Sequence, residues 1–245
     1  MPEIYKTRAV VLRKLDYGDT SKIADFYTEE FGKVSGIIKG ARSKNSKIGM
    51  LIDLGNFVEI VFYKKTSREI QLVSQADLIS HFPHIKDDLE KLKYTSAVLE
   101  LLLNLTVEYE TNKKLFKGAV RILELLNDSD QKPDLLFAKF FLFFIKEIGY
   151  ELGLEICSDC GKKINPGLGA AFNFEQGILC SDCREGKIIN FELKGELLNL
   201  LYCLSNKNDE MSFKSSQVKN IIYFLERFLI YHIPEFKGIK SFHIF

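Results

Sequence analysis

The sequence lacks long apolar runs and a recognisable secretory leader. No stretch reaches eighteen uninterrupted apolar residues, and the most apolar one, residues 135–148, is broken by two lysines and a glutamate. A membrane-spanning helix needs about 20 consecutive apolar residues, so the sequence predicts none. The first six residues contain no basic region followed by a long apolar run. Together with the spacing of the cysteines, four of which stand in two CxxC pairs, this leads us to expect a metal site in a reducing compartment rather than disulfides.

Motifs of several enzyme classes are missing as well. There is no glycine-rich phosphate loop, no dinucleotide fingerprint after a strand, and no His-x-Glu of the zinc-deaminase type before the cysteine pairs. The four histidines are scattered along the chain. The acidic pairs Glu29-Glu30 and Asp87-Asp88 fit a turn or a helix N-terminus at least as well as an acid–base site. These absences predict a binding protein rather than an enzyme.

An excess of charge of one sign is also absent. The chain has 34 lysines and arginines against 33 aspartates and glutamates, a formal charge of +1. A near-neutral total does not exclude a nucleic-acid partner, but it requires any basic surface to be local. With 46% hydrophobic residues in a chain of 245, the composition is that of a globular protein with one large domain or two small ones.

Cysteine is scarce, and four of the five cysteines stand in two pairs. Cys157-Ser158-Asp159-Cys160 and Cys180-Ser181-Asp182-Cys183 are separated by nineteen residues. Two such knuckles supply four thiolates for one tetrahedral ion, which predicts a structural zinc site with Cys157, Cys160, Cys180 and Cys183 as ligands. The alternatives are a redox dithiol pair, which needs a thioredoxin-like context that is absent here, and a metal hydrolase, which needs an open coordination position.

The first eighty residues have the pattern of short strands separated by turns. Alternating or β-branched runs occupy residues 7–13, 22–27, 33–38, 57–63 and 70–73. Five strands in this length predict a small closed barrel of the OB type, and periodicity alone also allows an SH3-like barrel. We expect this domain to span residues 1–80.

A basic segment without any acidic residue follows the third predicted strand. Within residues 32–51 the sequence predicts a mobile loop with five cations suited to a phosphodiester backbone, Lys33, Lys39, Arg42, Lys44 and Lys47. The alternative is an ordinary solvated surface loop, which charge runs of this length commonly form.

Beyond residue 80 the apolar period changes to that of helices. Helices are predicted over about 85–107, around 115–126, from Pro133 to Ile148, over 193–205, and from a cap at Ser215 or Ser216 onward. The fold class is thus α+β and multidomain, an N-terminal five-stranded OB-fold barrel followed by a helical domain at 81–245. The zinc insert lies at about 154–189, with a short hairpin between its knuckles, and Cys203 is predicted to be a core thiol.

Several motifs in this order resemble the bacterial RecO family of DNA repair proteins. They are Thr7-Arg8-Ala9-Val10-Val11-Leu12, Tyr17-Gly18-Asp19, Lys39-Gly40-Ala41-Arg42 and the two cysteine knuckles. The resemblance implies an OB-fold that binds single- and double-stranded DNA, strand annealing, and a mediator role in the RecF pathway. It further implies cooperation with RecR in loading RecA onto DNA coated by single-stranded-DNA-binding protein, in the bacterial cytoplasm at the nucleoid.

The same resemblance implies contact with the acidic, aromatic-ended C-terminal tail of the coating protein. Such a tail needs a cation beside an apolar pocket, and Lys139 and Lys146 are the candidates on the apolar third helix. An alternative function is a zinc-stabilised docking subunit that binds protein partners and not DNA. In that case, neutralising the basic segment leaves activity intact.

Overall fold

A computed structural model describes residues 2–205 and 213–244. Its N-terminal part is a closed barrel with strand order β1-β2-β3-β5-β4. β3 and β5 pair in parallel and the other neighbours pair antiparallel. This is the OB topology, so the predicted barrel is confirmed and the SH3-like alternative is set aside. The strands are β1 (Glu3–Tyr17), β2 (Ser21–Thr28), β3 (Gly32–Ile38), β4 (Phe57–Lys64) and β5 (Ile70–Ser80).

The long strand β1 closes the barrel because it serves two neighbours. Its first half pairs with β4 and its second half with β2, and a bulge between Val11 and Arg13 turns the strand between them. The interior is filled by aliphatic and aromatic side chains of all five strands. Gly36 belongs to this packing, since a Cβ there would lie 2.5 Å from a methyl group of Val73.

The segment between β3 and β4 contains a short helix, whereas the sequence predicts a mobile loop. It holds the short helix α1 (Lys47–Leu51), whose N-terminus is capped by the Ser46 hydroxyl accepting from Gly49 N at 3.1 Å. Ala41 and Ile52, at either end, are buried in the barrel core. Small residues in this segment serve close packing as well as turns, which the composition alone does not reveal.

Seven further helices follow within the described ranges. The predicted helix 85–107 is broken into two pieces because the Asp88 side chain accepts a hydrogen bond from Lys91 N at 3.0 Å and caps a new helix. Pro133 stands in the first turn of its helix, as predicted. The helices are α2 (Pro83–Lys86), α3 (Leu89–Leu105), α4 (Lys113–Asp128), α5 (Pro133–Glu147), α6 (Gly195–Ser205), α7 (Ser215–His232) and α8 (Ser241–Ile244).

The predicted serine cap of α7 is wrong. Lys214 occupies the N-cap position, and its backbone N–H donates to the Gln217 side chain at 3.0 Å. Ser215 is the first helical residue and its hydroxyl donates to Asp134 on α5 instead. The Ser215 hydroxyl therefore bonds a residue of another helix, Asp134, instead of capping α7 as the sequence predicts. Cys203 is half-buried on α6.

The cysteine-bearing insert is a small antiparallel sheet of order β7-β6-β8. β6 (Ala170–Asn173) and β7 (Gly177–Leu179) form the predicted hairpin between the knuckles. The third strand, β8 (Phe191–Leu193), comes after the second knuckle and pairs with β6. Short 3₁₀ turns at Pro166–Leu168 and Ser181–Cys183 complete the insert.

The chain forms two compact units. One contains the residues up to Asp130 together with the segment from Ile239, and the other is Gln131–Gly238. The returning segment carries α8, which packs on α3 with the Phe242 ring 5.8 Å from that of Tyr94. The expected domain boundary at residue 80 stays a prediction. Among the described helices, none combines the length and apolarity that a membrane crossing requires.

Candidate metal centre and nucleic-acid interface

The four predicted cysteine ligands come together in the insert. The sulfur atoms of Cys157, Cys160, Cys180 and Cys183 all lie within 4.8 Å of one another. The Sγ atoms of Cys160 and Cys180 are 3.8 Å apart, and a tetrahedral ion with metal–sulfur bonds of about 2.3 Å holds its sulfurs about 3.8 Å apart. The cluster therefore fits one metal ion bound by four thiolates.

Backbone amides prepare Cys157 to act as a thiolate. Its side chain is buried, and burial raises the pKa of the thiol, but backbone N–H groups of Cys160, Cys180 and Asp159 outweigh this and bring the pKa to about 6. One of these is the Cys180 N–H, 3.4 Å from the Cys157 sulfur. The first knuckle thus offers a negative ligand near neutral pH, as a metal site requires.

Crowding has the opposite effect on Cys183. Its hydrogen bond with Cys160 and its desolvation raise the pKa of this thiol, with further contributions from the other sulfurs and Asp159. Four sulfurs this close cannot all be negative without a cation among them. The geometry of the two knuckles thus lowers the pKa of Cys157 and raises that of Cys183. A divalent cation among the four sulfurs would neutralise the negative charge of the thiolates.

The hairpin holds the knuckles in register. Ser158 N donates to Ile178 O at 2.9 Å and Cys157 N donates to Lys162 O at 2.8 Å, so the first knuckle is tied to β7 and closed on itself. Gly177 has a φ of +102°, and a Cβ there would lie 2.5 Å from the Ser158 hydroxyl. A glycine at this turn is needed to bring the two pairs together.

Three of the five predicted DNA-contacting cations lie free on the surface of the barrel. Lys39, Lys44 and Lys47 are exposed, and no carboxylate within residues 2–205 and 213–244 pairs with them. They follow β3 on the segment that carries α1. Cations without a carboxylate partner remain available for an anionic ligand.

Arg42 is exposed but engaged. Its guanidinium donates to Gly18 O at 2.7 Å and lies 3.4 Å from the Asp16 carboxylate. Its backbone N–H donates to Thr20 O at 2.9 Å. Arg42 therefore links the basic segment to the turn between β1 and β2.

Lys33 lies away from the segment, in β3. Its Nζ donates to Leu103 O at 2.8 Å, near the end of α3, and burial lowers its pKa despite the carboxylates of Glu108 and Asp25. The ammonium is therefore committed to the C-terminus of a helix, where a cation is favourable.

Much of the outer face of β2 and β3 is covered. The Tyr27 ring packs 6.3 Å from Phe116 of α4, and Asp25 is held by Arg13 and Ser35 at 2.6 and 2.5 Å. Beyond them the cross-strand register places Leu15, Ile23 and Ile37 side by side. Leu15 is 50% exposed, so the open part of the face is an aliphatic row that leads to the β1–β2 turn and Lys39.

Two functional candidates escaped the sequence reasoning. Lys65 and Arg68 are exposed on the β4–β5 turn, one of the two loops that flank the ligand face of OB-folds. Their cluster is visible in the sequence as Lys64-Lys65-Thr66-Ser67-Arg68, but Lys64 itself is used internally, 5.3 Å from the Phe31 ring and 5.1 Å from the Tyr109 ring. The sequence alone does not place this turn at the rim of the barrel.

The two candidates for tail binding lie on α5. Lys139 is half-buried, and Lys146 is exposed and paired with Glu151, whose hydrogen bond raises the pKa of the lysine. Two surface cavities in the described residues have other linings, one around Phe82 and Arg121 and the other around Phe174 and Arg227. The assignment of Lys139 and Lys146 stays a prediction.

Comparison with known proteins accounts for nearly the whole chain. Residues 1–82 match the family model Recombination protein O N terminal, and residues 86–241 match Recombination protein O C terminal. Among curated proteins, DNA repair protein RecO of Pelodictyon phaeoclathratiforme is 37% identical over 167 residues, which are 68% of this chain and 64% of that protein. The protein of the same name from Clostridium novyi is 28% identical over 90% of this chain and 85% of its own length.

The match to the relatives from Pelodictyon and Chlorobium spans less than two thirds of their own length, 64%, 62% and 62% for three of them. The order of the motifs, the OB barrel, the helical part and both family models agree along the chain. The chain belongs to the RecO family.

Proposed function

We propose that this protein is a DNA-binding mediator of recombinational repair that anneals complementary strands and helps load RecA onto coated single-stranded DNA. The observation that carries the proposal is the group of exposed lysines without carboxylate partners in the described ranges, Lys39, Lys44 and Lys47, on the segment that follows β3 of the OB barrel. The relatives are DNA repair proteins by name, DNA repair protein RecO, which supports the repair context.

The chemistry of annealing fits this surface. Bringing two strands together requires that the charge of their backbones be neutralised while the base edges stay free to pair. Lysines on a short, fixed segment neutralise phosphates without reading sequence. The adjacent aliphatic row of Leu15, Ile23 and Ile37 offers an apolar surface to bases without hydrogen-bonding groups that would compete with pairing. The binding should be loose and insensitive to sequence.

The test is binding of a labelled single-stranded oligonucleotide across a salt series. The wild type is compared with the triple variant Lys39→Ala, Lys44→Ala, Lys47→Ala. Each lysine contact contributes about −0.7 to the log–log salt slope for a single strand, so the variant should lose affinity and about 2 units of slope. Lys162→Ala, Lys163→Ala is the control, since these exposed lysines lie on the insert.

Equal binding by the wild type and the triple variant would contradict the assignment of the basic segment. If neither protein bound DNA at low salt, the alternative would stand, that of a docking subunit that works only through protein partners. A steep preference for one sequence would contradict backbone-directed binding.

We propose zinc as the metal of the cysteine cluster and a structural role for it. Four thiolates are the donor set that zinc prefers, and they leave no position for water or substrate. When bound, the ion would hold the two knuckles together and neutralise their thiolates. Cys157, Cys160, Cys180 and Cys183 would be its ligands. With a closed site and no catalytic motif in the sequence, the proposed activity is binding and not enzymatic.

The family resemblance extends the proposal to protein partners. We infer cooperation with RecR and contact with the acidic tail of single-stranded-DNA-binding protein, in the cytoplasm where chromosomal DNA is repaired. Lys139 and Lys146 remain the candidates for the tail. Binding of a labelled tail peptide should weaken in Lys139→Glu, Lys146→Glu. Unchanged binding of the peptide by this variant would remove both residues from the site.

A further inference from the structure

Helix α7 carries a row of alternating cations and aromatic rings on its solvent face. Lys219, Tyr223, Arg227 and Tyr231 follow one another at intervals of four residues, which places them along one face. Lys219 and Arg227 are exposed, and the tyrosines are 54% and 50% exposed. The rise of the helix offsets successive members by about 6 Å along the helix axis, and the two tyrosines by about 12 Å along it. We call this row the α7 stripe.

Both rings of the α7 stripe are supported by neighbours. Tyr223 lies 6.3 Å from Phe191 of β8, and Tyr231 lies 5.6 Å from Phe174, which follows β6. The insert sheet therefore contributes an aromatic ring to each. A tyrosine that is supported in this way and still half exposed offers a stacking surface at little cost in conformational entropy.

A cavity lies at the C-terminal end of the α7 stripe. It has a volume of about 420 Å³ and is lined by Phe174, Asn190, Arg227, Ile230, Tyr231, Pro234 and Lys237. This volume is in the range of small-ligand sites, and the lining combines apolar and aromatic groups with two cations. It suits a planar ring that carries a phosphate, as an unstacked nucleotide does.

Among the described residues, the cations of the α7 stripe form no ion pairs with carboxylates. In the part of the chain that the structure describes, no carboxylate pairs with Lys219 or Arg227, and Lys237 donates only to Pro234 O, at 2.6 Å. Of the acids close by, Glu192 pairs with Arg184 and Glu196 accepts from Gln217 at 2.7 Å. Glu226, next to Arg227 on α7, is half-buried with its carboxylate near Gly238. Glu235 is exposed and offsets part of the positive charge.

We propose that the α7 stripe is a second surface for single-stranded DNA, in addition to the basic segment of the barrel. Bases would stack on Tyr223 and Tyr231 while Lys219, Arg227 and Lys237 contact phosphates, the combination that binds single strands without sequence preference. The axial offset of the two tyrosines corresponds to about three steps of stacked bases. The inference rests on the proposed function, because it assigns a second strand to the same annealing protein.

The test uses the full chain and a labelled oligothymidylate. Tyr223→Ala, Tyr231→Ala is introduced into the wild type and into the barrel variant Lys39→Ala, Lys44→Ala, Lys47→Ala. Loss of each stacked ring should weaken binding about tenfold, most visibly in the barrel variant. The matched control is Tyr223→Phe, Tyr231→Phe, which keeps the rings and should bind within about twofold of its parent.

A charge variant tests the α7 stripe independently, in case the double alanine variant does not fold. Lys219→Glu, Arg227→Glu changes only exposed side chains and should also abolish the residual binding of the barrel variant. Photocrosslinking of a bromouracil-containing strand to the wild type should mark the peptide that includes Tyr223 or Tyr231.

Different results identify different failures. If the charge variant and the alanine pair bind oligothymidylate like their parents, the α7 stripe is not a DNA surface. If they lose only the binding of an acidic peptide, it is a peptide site and the inference is wrong. If the barrel variant alone binds like the wild type, the proposed role of the basic segment fails, and the α7 stripe is judged by its own variants.

Discussion

Gly49 allows helix α1 to pack closely against Ala41, and this single residue therefore sets the conformation of the basic segment. A Cβ at this position would lie 1.8 Å from the carbonyl oxygen of Ala41, and backbone cannot move aside as a flexible side chain can. Gly49→Ala should therefore distort α1 and lower the free energy of unfolding by about 2 kcal/mol or more, as other severe steric changes do. Urea denaturation measures the loss.

Gly153→Ala is the matched control for this change. No atom lies within 4 Å of the Cβ position there, so the stability should change by less than about 0.5 kcal/mol. If Gly49→Ala were as harmless as this control, the packing of α1 on Ala41 would not be what fixes the segment.

Asp53 contributes stability that depends on pH. Burial raises the pKa of its carboxyl, but hydrogen bonds from Lys14 and Lys86, at 2.6 and 2.9 Å, outweigh burial and bring the pKa to about 2. A folded-state pKa below the unfolded value of about 3.9 stabilises the protein above that value. The contribution is lost as the pH falls from about 4 through about 2.

Asp53→Asn should therefore destabilise the protein by about 1 kcal/mol at about pH 7, since more than a third of the side chain is exposed and solvent screens the pairs. The difference in unfolding free energy between wild type and variant should shrink toward zero as the pH approaches about 2. A difference that stayed constant over this whole pH range would show that the charge of Asp53 is not the cause.

Among the larger elements, the insert should depend on its metal. The sheet β7-β6-β8 is short, and bound zinc supplies about 10–16 kcal/mol of apparent free energy in small zinc-binding peptides. Removing the metal with a chelator should raise hydrogen exchange across residues 154–193 and leave β1–β5 protected. Exchange that is unchanged in the insert would mean that its packing suffices without metal.

The zinc content of single cysteine variants should depend on whether the cysteine belongs to the cluster. Cys160→Ser and Cys183→Ser should lose bound zinc, which is one equivalent per chain in the wild type under the proposed site of four cysteines. Cys203→Ser, on α6 and outside the cluster, should retain it. Metal analysis of the purified variants decides, and zinc retained by Cys160→Ser would point to a different ligand set.

Elements were predictable where local signals were strong. The five strands, the hairpin of β6 and β7 and the proline at the start of α5 follow from alternation, glycines and the missing amide of proline. The break before α3 was missed because the apolar period runs through Asp87 and Asp88, and only the cap of Asp88 ends one helix and starts the next. β8 was missed because its three residues acquire strand structure only by pairing with β6.

Across the molecule as a whole, the chain returns to its first unit at the end. Glu100 of α3 accepts from Lys240 N at 2.8 Å, Ser241 N at 3.0 Å and Ser241 Oγ at 2.8 Å. Glu100→Ala would remove these charge-assisted bonds and should lower the unfolding free energy by about 1–3 kcal/mol. It should also raise hydrogen exchange at residues 239–244.

Glu90→Ala is the comparison for this change, since Glu90 is exposed in the first turn of the same helix. Its loss should cost at most about 0.5 kcal/mol through the helix dipole. If both variants had the same small effect, the C-terminal segment would not be held by Glu100.

Local patterns in the chain were enough to predict the fold class and the four cysteines of the metal site. Period-two and period-3.6 patterns separate barrel from helices, and two CxxC pairs limit the four sulfurs to one kind of site. These features are local, so each can be identified in a short window without the rest of the chain.

The tertiary structure determines which cations are available to bind an anionic ligand. Lys33, Lys39 and Arg42 are equivalent cations as far as the sequence shows. In the structure Lys33 donates to Leu103 O and Arg42 donates to Gly18 O. Lys39 has no carboxylate partner among the described residues. The α7 stripe likewise depends on Phe174 and Phe191, which reach α7 from far along the chain. The partners of a side chain are set by contacts between distant segments, and no short window of sequence contains both members of such a contact.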